Sequence, residues 1–347
     1  MSSIKKIAEK AGVSVSTVSR TLNNYTDVSP QTRKRILEIA KELNYFPNAI
    51  ARSLVQKKTY TIGIFFGNTM NSGFDHPFFL EVISAVREMV GNAGYDILVF
   101  TNKNKERATY TTLCRERSVD GVVLLLTGEG KKRDETLIEL QDSGIPCIAI
   151  DIPLEGQACA YVESDNYSGA RSAMDHLLDL GHTAIAFVGG DTISSTSYNR
   201  MRGYQDALME RKIGIDPTLI HLGYFSMEKA KEAVKSLMPA HPEVTAFFAA
   251  SDEMAMGVVQ GLREMGLSVP DDISVIGFDD IKAAKDFNPP LTTVRQDKYG
   301  LGHEAARLLL RIIEDPERGA QSVSLPCELI VRSSTKEARK NQLRFAK

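Results

Sequence analysis

The chain of 347 residues carries 42 Lys and Arg against 44 Asp and Glu, 43% hydrophobic residues, 4 Cys, 6 His and no Trp. That length allows two or three domains with full cores, and the ordinary apolar fraction marks a globular protein. No run approaches the roughly 20 apolar residues of a membrane span and no apolar leader opens the chain. Cys114, Cys147, Cys159, Cys327 and the scattered histidines lack metal-ligand spacing, so no metal or cofactor is expected and a reducing cytoplasm is.

The net charge of −2 conceals an asymmetry. The first sixty residues hold eleven Lys or Arg and four Asp or Glu, a net +7, which leaves −9 for the remainder. A cationic head on an anionic body suits a polyanion-binding module joined to a second domain. Within the head, residues 4–23 read as two short helices. Ile4, Ile7, Ala8 and Ala11 fall on one face, Gly12 stops the first helix, and Ser14 suits the N-cap of a second with Val18 and Leu22 inside. Val15, Ser16, Thr17, Ser19, Arg20 and Asn23 then lie on or near the outward side. Hydroxyls, an amide and an arginine there suit base edges and phosphates of a major groove. A third helix has Ser29 as N-cap, Pro30 at its first position and Ile36, Ala40 and Leu43 inside. Its Arg33-Lys34-Arg35 run suits either a solvated face or phosphates. Pro47 breaks that helix, and Ala49, Ile50, Ala51 and Leu54 fit one or two further turns, too few to persist alone.

From residue 61 the pattern changes to apolar strands alternating with amphipathic helices. Strands are expected at 61–66, 96–100, 121–126 and 146–150, then at 184–188, 219–222, 246–250 and 273–278. A helix at 78–90 carries Phe79, Val82, Ile83, Val86 and Val90 on one face. Buried strands separated by helices mean parallel sheets covered on both sides, and two such series mean two doubly wound lobes. Ligands bind beyond the carboxyl ends of such strands. The polar residues expected there are Asn68, Asp151, Arg200 in a loop, Ser251, Asp252, Asp279 and Asp280. Carboxylates that accept from hydroxyls and an arginine that donates a planar fork suit a polyol, with Phe78, Phe79 or Phe287 covering a sugar face. Asp252 and Asp280 fit helix caps equally well.

The segments IAEKAGVSVSTVSRTLN, VSPQTRKRI, LNYFPNAIAR, LGHTAIAFVGG, RMRGYQDAL, SDEMAMGVVQGLREMGLSVPDDISVIGFDD and PPLTTVRQD carry a resemblance in order and spacing. Over nearly its whole length the chain resembles bacterial transcription regulators of the lactose-repressor (LacI/GalR) family. The resemblance implies a three-helix helix-turn-helix head (1–46), a hinge helix and linker (47–60), and a two-lobed α/β core like a periplasmic binding protein (61–347). The core's N-lobe would take 61–161 and 293–321, and its C-lobe 162–292 and 322–347. By position, Val15, Ser16 and Arg20 read the major groove, and Thr17, Ser19 and Asn23 hold phosphates. Ser14 and Tyr45 join that DNA-facing set. Leu54 is the minor-groove wedge, supported by Asn48, Ala51 and Arg52. Arg200 and Asp279 contact the effector, with Asn68, Phe78, Asp151 and Ser251 lining the cleft. Many members have an aromatic residue in place of Val15 and Asn or Thr in place of Ser251, and segment 68–79 is longer than usual.

The implied protein is a repressor of carbohydrate-utilisation genes that binds a pseudo-palindromic operator as a homodimer and senses a small sugar. A nucleobase, phosphosugar or phosphocarrier co-regulator is the alternative. The lack of an added leucine heptad points to a dimer. A transport-type sugar-binding protein has no use for the basic head. A dehydrogenase or kinase needs a phosphate loop after the first strand, where this chain reads GNTMNSGF, without GxGxxG or GxxxxGK[ST].

Overall fold

Hydroxyl-rich short helices give way to strand-helix alternation at Tyr60, and there the chain divides into two units, 1–60 and 61–347. The computed structural model describes residues 4–23, 25–45, 58–66, 76–100, 109–125, 131–154, 156–319 and 321–339.

The first unit contains α1 (Ile4–Ala11), α2 (Val15–Leu22) and α3 (Pro30–Glu42). Ile7, Ala8, Ala11, Val18, Ile36, Ile39 and Ala40 form one small core, with Ile4, Val13, Leu22, Leu43 and Tyr45 against it. Gly12 turns the chain at φ +62°, a conformation that costs a side chain. Ser14 caps α2 by accepting from Thr17 N at 3.1 Å, and Ser29 caps α3 by accepting from Thr32 N at 3.3 Å. The α3 arginines are committed to backbone. Arg33 donates to the Thr21 and Tyr25 carbonyls and Arg35 to that of Ala11, so they serve as C-terminal caps for α2 and α1.

The second unit runs β1 (Thr61–Phe66), α4 (Pro77–Asn92), β2 (Asp96–Phe100), α5 (Tyr110–Arg117), β3 (Gly121–Leu125), α6 (Lys131–Asp142), β4 (Cys147–Ile150), β5 (Cys159–Ser164), α7 (Asn166–Asp179), β6 (Ile185–Gly189) and α8 (Ser195–Glu210). It continues with β7 (Ile220–Leu222), α9 (Met227–Ala240), β8 (Ala246–Ala249), α10 (Asp252–Glu264), β9 (Ser274–Asp279), α11 (Lys282–Asp286), β10 (Thr292–Gln296), α12 (Lys298–Glu314), β11 (Val323–Leu325) and β12 (Cys327–Ile330). The strands form two six-stranded sheets, ordered β11-β5-β4-β3-β1-β2 and β12-β10-β9-β8-β6-β7. Every pairing is parallel except β10 with β12. Fully buried strands such as β3, β4, β6, β8 and β9 are what helices on both faces require.

The eight expected strands are present, β1 and β2 with the expected ends and the others within one residue of them. Leu219 belongs to a 3-10 turn ahead of β7, for example. Four strands carry no apolar run and escape the sequence: β5 alternates, β10 reads TTVRQ, and β11 and β12 are short edge strands. The chain crosses between sheets after Ser164, after Gln296 and between Leu325 and Cys327, each a few residues beyond the expected lobe limits. The reason is that β5, β10 and β11 extend the sheets past the apolar segments that mark them. Helix α12 therefore follows a strand of the second sheet but packs on the first sheet and α4. At Gly302 a Cβ would overlap the Val82 carbonyl oxygen, so glycine sets how closely α12 and α4 approach.

Candidate functional sites in the head and the cleft

In α2, Val15, Ser16 and Arg20 are exposed, and Thr17, Ser19 and Asn23 are half-buried, as is Tyr45 beyond α3. Ser14 Oγ hydrogen-bonds the Ser16 and Thr17 hydroxyls, each at 2.8 Å, so the cap also orients its neighbours. Asn23 Nδ2 donates to Ser19 Oγ at 3.4 Å. Arg20 pairs with Asp27 and lies 5.0 Å from the Tyr25 ring centroid. Both charges of that pair are half exposed, so it holds Arg20 in place without committing it, because exposed pairs are worth about 1 kcal/mol or less. Asn48, Ala51, Arg52, Leu54 and Asn68 lie outside the described residues.

In the second unit a cleft of about 960 Å³ opens at the carboxyl ends of the strands, lined by both lobes. It lies where β1 pairs with both β2 and β3 and β6 with both β7 and β8, the points at which an open parallel sheet reverses its strand order.

Arg200, 4% exposed, is a buried charge in the cleft wall. It stands on α8, not in the loop expected from sequence, because Ser194 caps the helix six residues earlier. Its Nε donates to Asn166 Oδ1 at 2.8 Å and its Nη1 to the Ala250 carbonyl at 2.5 Å. Nη1 also stands 3.6 Å from Asp279 Oδ1, and the guanidinium carbon is 3.9 Å from the Phe278 ring centroid. Both of its neutral partners are themselves fixed by backbone: Ala250 follows β8, and Asn166 donates to the Ser164 carbonyl at 2.9 Å.

Asp279 ends β9 at φ +114° and Asp280 follows at φ +51°, a turn that L residues adopt at a cost. The crossover from β10 to α12 holds it. Lys298 donates to the Asp279 and Asp280 carbonyls at 2.7 and 3.0 Å, and Gln296 Nε2 donates to Asp279 Oδ1 at 2.6 Å. Burial raises the Asp279 carboxyl above its ordinary pKa, while Arg200, His76 and Lys298 pull it down. Because the Gln296 amide nitrogen is taken, its Oε1 is fixed as an acceptor. That oxygen is buried and has no hydrogen-bond partner, in a residue that lines the cleft.

Asp151 follows β4 at φ +58° and accepts from Ser164 N at 3.2 Å. Burial pushes its carboxyl up to about 6, against the pull of Arg200 and the Ser164 N–H. Its carbonyl accepts from Ser195 Oγ of the opposite lobe at 2.9 Å. A second link between lobes joins His76, which caps α4 by accepting from Phe78 N, to Glu253 of α10 at 3.8 Å. Burial raises the Glu253 carboxyl. Phe78 lines the cleft beside His76 and Phe79.

Phe78, Asp151, Arg200 and Asp279 are thus brought to one cavity. Ser251 is not. It is buried at 1%, its hydroxyl caps α10 by accepting from Met254 N at 3.2 Å, and it does not line the cleft. Ser251 follows a strand like the others, but the helix starting at Asp252 claims its hydroxyl. Asp252 and Asp280 are not caps. Asp252 accepts from Ile281 N at 2.8 Å and Thr293 Oγ1 at 2.5 Å, tying α10 to β10, and Asp280 is held by Arg295 and Arg332. Phe287 packs on the lobe core beneath Arg263. Sequence reasoning missed Gln296 and Lys298, which the rule of polar residues at strand ends would have found had TTVRQ been read as a strand. It also missed His76 and Asn166, for which no local signal exists.

Among the described residues no group of metal-ligating side chains is present, and no helix is long and apolar enough to cross a membrane. Residues 3–48 match the family described as bacterial regulatory proteins, lacI family, and residues 174–335 match a periplasmic binding protein-like domain. The HTH-type transcriptional repressor PurR of Histophilus somni (strain 129Pt) is 32% identical over 97% of this chain and 99% of its own. The solved complex of the transcriptional regulator CelR with cellobiose is 31% identical over 96% of this chain and 100% of the other, with a TM-score of 0.72. The lac repressor dimer bound to operator and the anti-inducer ONPF is 26% identical over 96% and 99%, with a TM-score of 0.81. With a basic helix-turn-helix head and a two-lobed ligand cleft in one chain, this protein belongs to the lacI family of bacterial regulatory proteins and is a DNA-binding transcriptional repressor, not an enzyme.

Proposed function

We propose that the repressor binds a pseudo-palindromic operator as a homodimer, and that a sugar in the cleft sets how tightly it binds. The single observation that carries the sugar reading is the buried cluster of Arg200, Asp279 and Gln296. It offers the guanidinium donors that Asn166 and Ala250 leave over, a carboxylate and an unpaired amide oxygen within one rigid network. Vicinal hydroxyls both donate and accept, so a polyol satisfies all three at once. Asp151 and the α8 hydroxyls from Ser194 to Thr196 extend the polar wall, and Phe78 supplies an apolar surface. The solved relative that holds cellobiose agrees in kind.

On the DNA side, exposed Val15 suits a thymine methyl group, and Arg20, released from Asp27, suits a guanine edge. Ser16 reads alongside them. Thr17, Ser19 and Asn23 hold phosphates, with Ser14 and Tyr45 beside them. Leu54 wedges the minor groove with Asn48, Ala51 and Arg52 in support. Because the ligand touches both lobes, it favours one lobe arrangement by its differential affinity, and this shifts the population competent for operator.

The test is titration of the intergenic duplex that the protein protects, with and without carbohydrates and nucleobases, followed by fluorescence anisotropy. At least one carbohydrate is expected to change operator affinity fivefold or more, within the usual range of such coupling, about 5- to 150-fold. A shift produced by adenine, guanine or hypoxanthine and by no carbohydrate would falsify the sugar reading.

A further inference from the structure

The cleft is larger and more apolar at its mouth than one sugar ring requires. Given the roughly 30 Å³ that each water molecule occupies in the liquid for every heavy atom, a hexose takes at most about 360 Å³. The cleft has about 960 Å³. The cluster of Arg200, Asp279 and Gln296 forms its buried end, with Arg200 and Asp279 4% exposed and Gln296 1% exposed.

The outer end is different. Ile138 of the first lobe and Ile193, Tyr198 and Tyr224 of the second line the same cavity and are 49 to 60% exposed. They are four of the twelve most exposed large apolar or aromatic side chains among the described residues. Exposed apolar side chains gathered in one cleft mark a surface that something covers. Tyr224 and Phe225 are both held at positive φ, 51° and 55°, at this rim. Two adjacent residues in that conformation cost free energy that a packed connector would not need. Lys229 stands 4.9 Å from the Tyr224 ring centroid and also lines the cavity, adding a donor beside the aromatic surface.

We propose that the effector is a disaccharide: one ring is held by Arg200, Asp279 and Gln296, and the second packs its C–H face on Tyr198 and Tyr224 at the mouth. This rests on the sugar reading of the cleft and adds the size and polarity of the ligand to it. A pyranose fits the outer subsite because one face of the ring is apolar and its edge is polar, which matches tyrosine rings beside Lys229. A monosaccharide reaches only the inner cluster and leaves the outer side chains in water.

The test is isothermal titration calorimetry of the full chain with glucose, galactose, xylose and ribose, and with cellobiose, lactose, maltose and xylobiose. At least one disaccharide is expected to bind about tenfold or more tightly than each of its component monosaccharides. Tyr198→Ala combined with Tyr224→Ala should lower that disaccharide's affinity about tenfold and the monosaccharide's less than twofold. Tyr224→Phe should keep the discrimination, because the ring face and not the hydroxyl makes the contact. A monosaccharide that binds as tightly as every disaccharide containing it overturns the two-ring effector and leaves the sugar reading standing. Tyrosine variants that weaken both ligands equally overturn it too. Binding by a nucleobase and by none of the sugars, or by none of these compounds, removes the sugar reading and the two-ring effector with it.

Discussion

Replacing Arg200 with Met tests whether the cleft floor is one electrostatic unit. The substitution keeps an unbranched side chain over the Phe278 ring and removes the guanidinium. Three interactions go: the bond to Asn166 at 2.8 Å, the bond to the Ala250 carbonyl at 2.5 Å, and the pairing with Asp279 at 3.6 Å. Hydrogen bonds to a charged group are worth about 1.5–3 kcal/mol each, but burying the guanidinium offsets much of that sum. The net cost is therefore set by what is left behind, an Asp279 carboxyl 4% exposed and short of its nearest cation. Breaking a buried pair from one side costs about 3–5 kcal/mol, and that is the expected loss. Without Arg200 the Asp279 carboxyl, already raised by burial, moves higher still. A neutral acid needs no counter-cation, so the penalty of Arg200→Met is smaller at pH 5 than at pH 8. The added substitution Asp279→Asn removes the stranded charge, and the double variant should be more stable than the sum of the single losses by about 1–3 kcal/mol. The assay is urea unfolding followed by far-UV circular dichroism, since the chain has no tryptophan. An Arg200→Met cost below about 1 kcal/mol, or losses that simply add in the double variant, would refute the reasoning.

Two further outcomes follow from the geometry. Asp151, with its carboxyl at about 6 against an ordinary 3.8, binds its proton more tightly in the folded state. The stability this gives is complete below about pH 4 and is lost as the pH rises through 6. At about 1.36 kcal/mol per pH unit it amounts to at most roughly 3 kcal/mol, less for the group's remaining solvent contact. Asp151→Asn should therefore flatten the fall in unfolding free energy between pH 4 and 6.5 relative to wild type, and parallel curves would rule out burial as the cause. The glycines of α4 and α12 should respond in opposite ways. Gly302→Ala forces a Cβ against the Val82 carbonyl and should cost about 1–3 kcal/mol, whereas Gly91→Ala meets nothing within 4 Å and should gain up to about 1 kcal/mol of helix propensity. Equal shifts of the thermal midpoint in the two variants would contradict the assignment of Gly302 to close helix approach.

Local chemistry determined much of this protein from sequence alone. The helix-turn-helix is legible because Gly12, Ser14, Ser29 and Pro30 act on their own backbone within a few residues. Two parallel lobes are legible because strands buried on both faces must be apolar throughout. Asp151 and Asp279 are legible as cleft residues because strand ends point where ligands bind, and Arg200 because it lies in the segment that leaves β6, although on a helix there and not in a loop. Only the tertiary structure decided which polar groups at those ends are free. Ser251 and Asp252 follow a strand as Asp279 does, yet a helix N-terminus takes one and a neighbouring lobe element takes the other. Gln296 and Lys298 were invisible because their strand reads as polar and their partners lie some twenty residues away across the crossover. The same applies to Arg33 and Arg35, which look like phosphate contacts in a basic run until the carbonyls of α1 and α2 are placed beside them. A side chain's type is written in the chain, but whether its hydrogen-bonding capacity is already spent depends on what folding brings next to it.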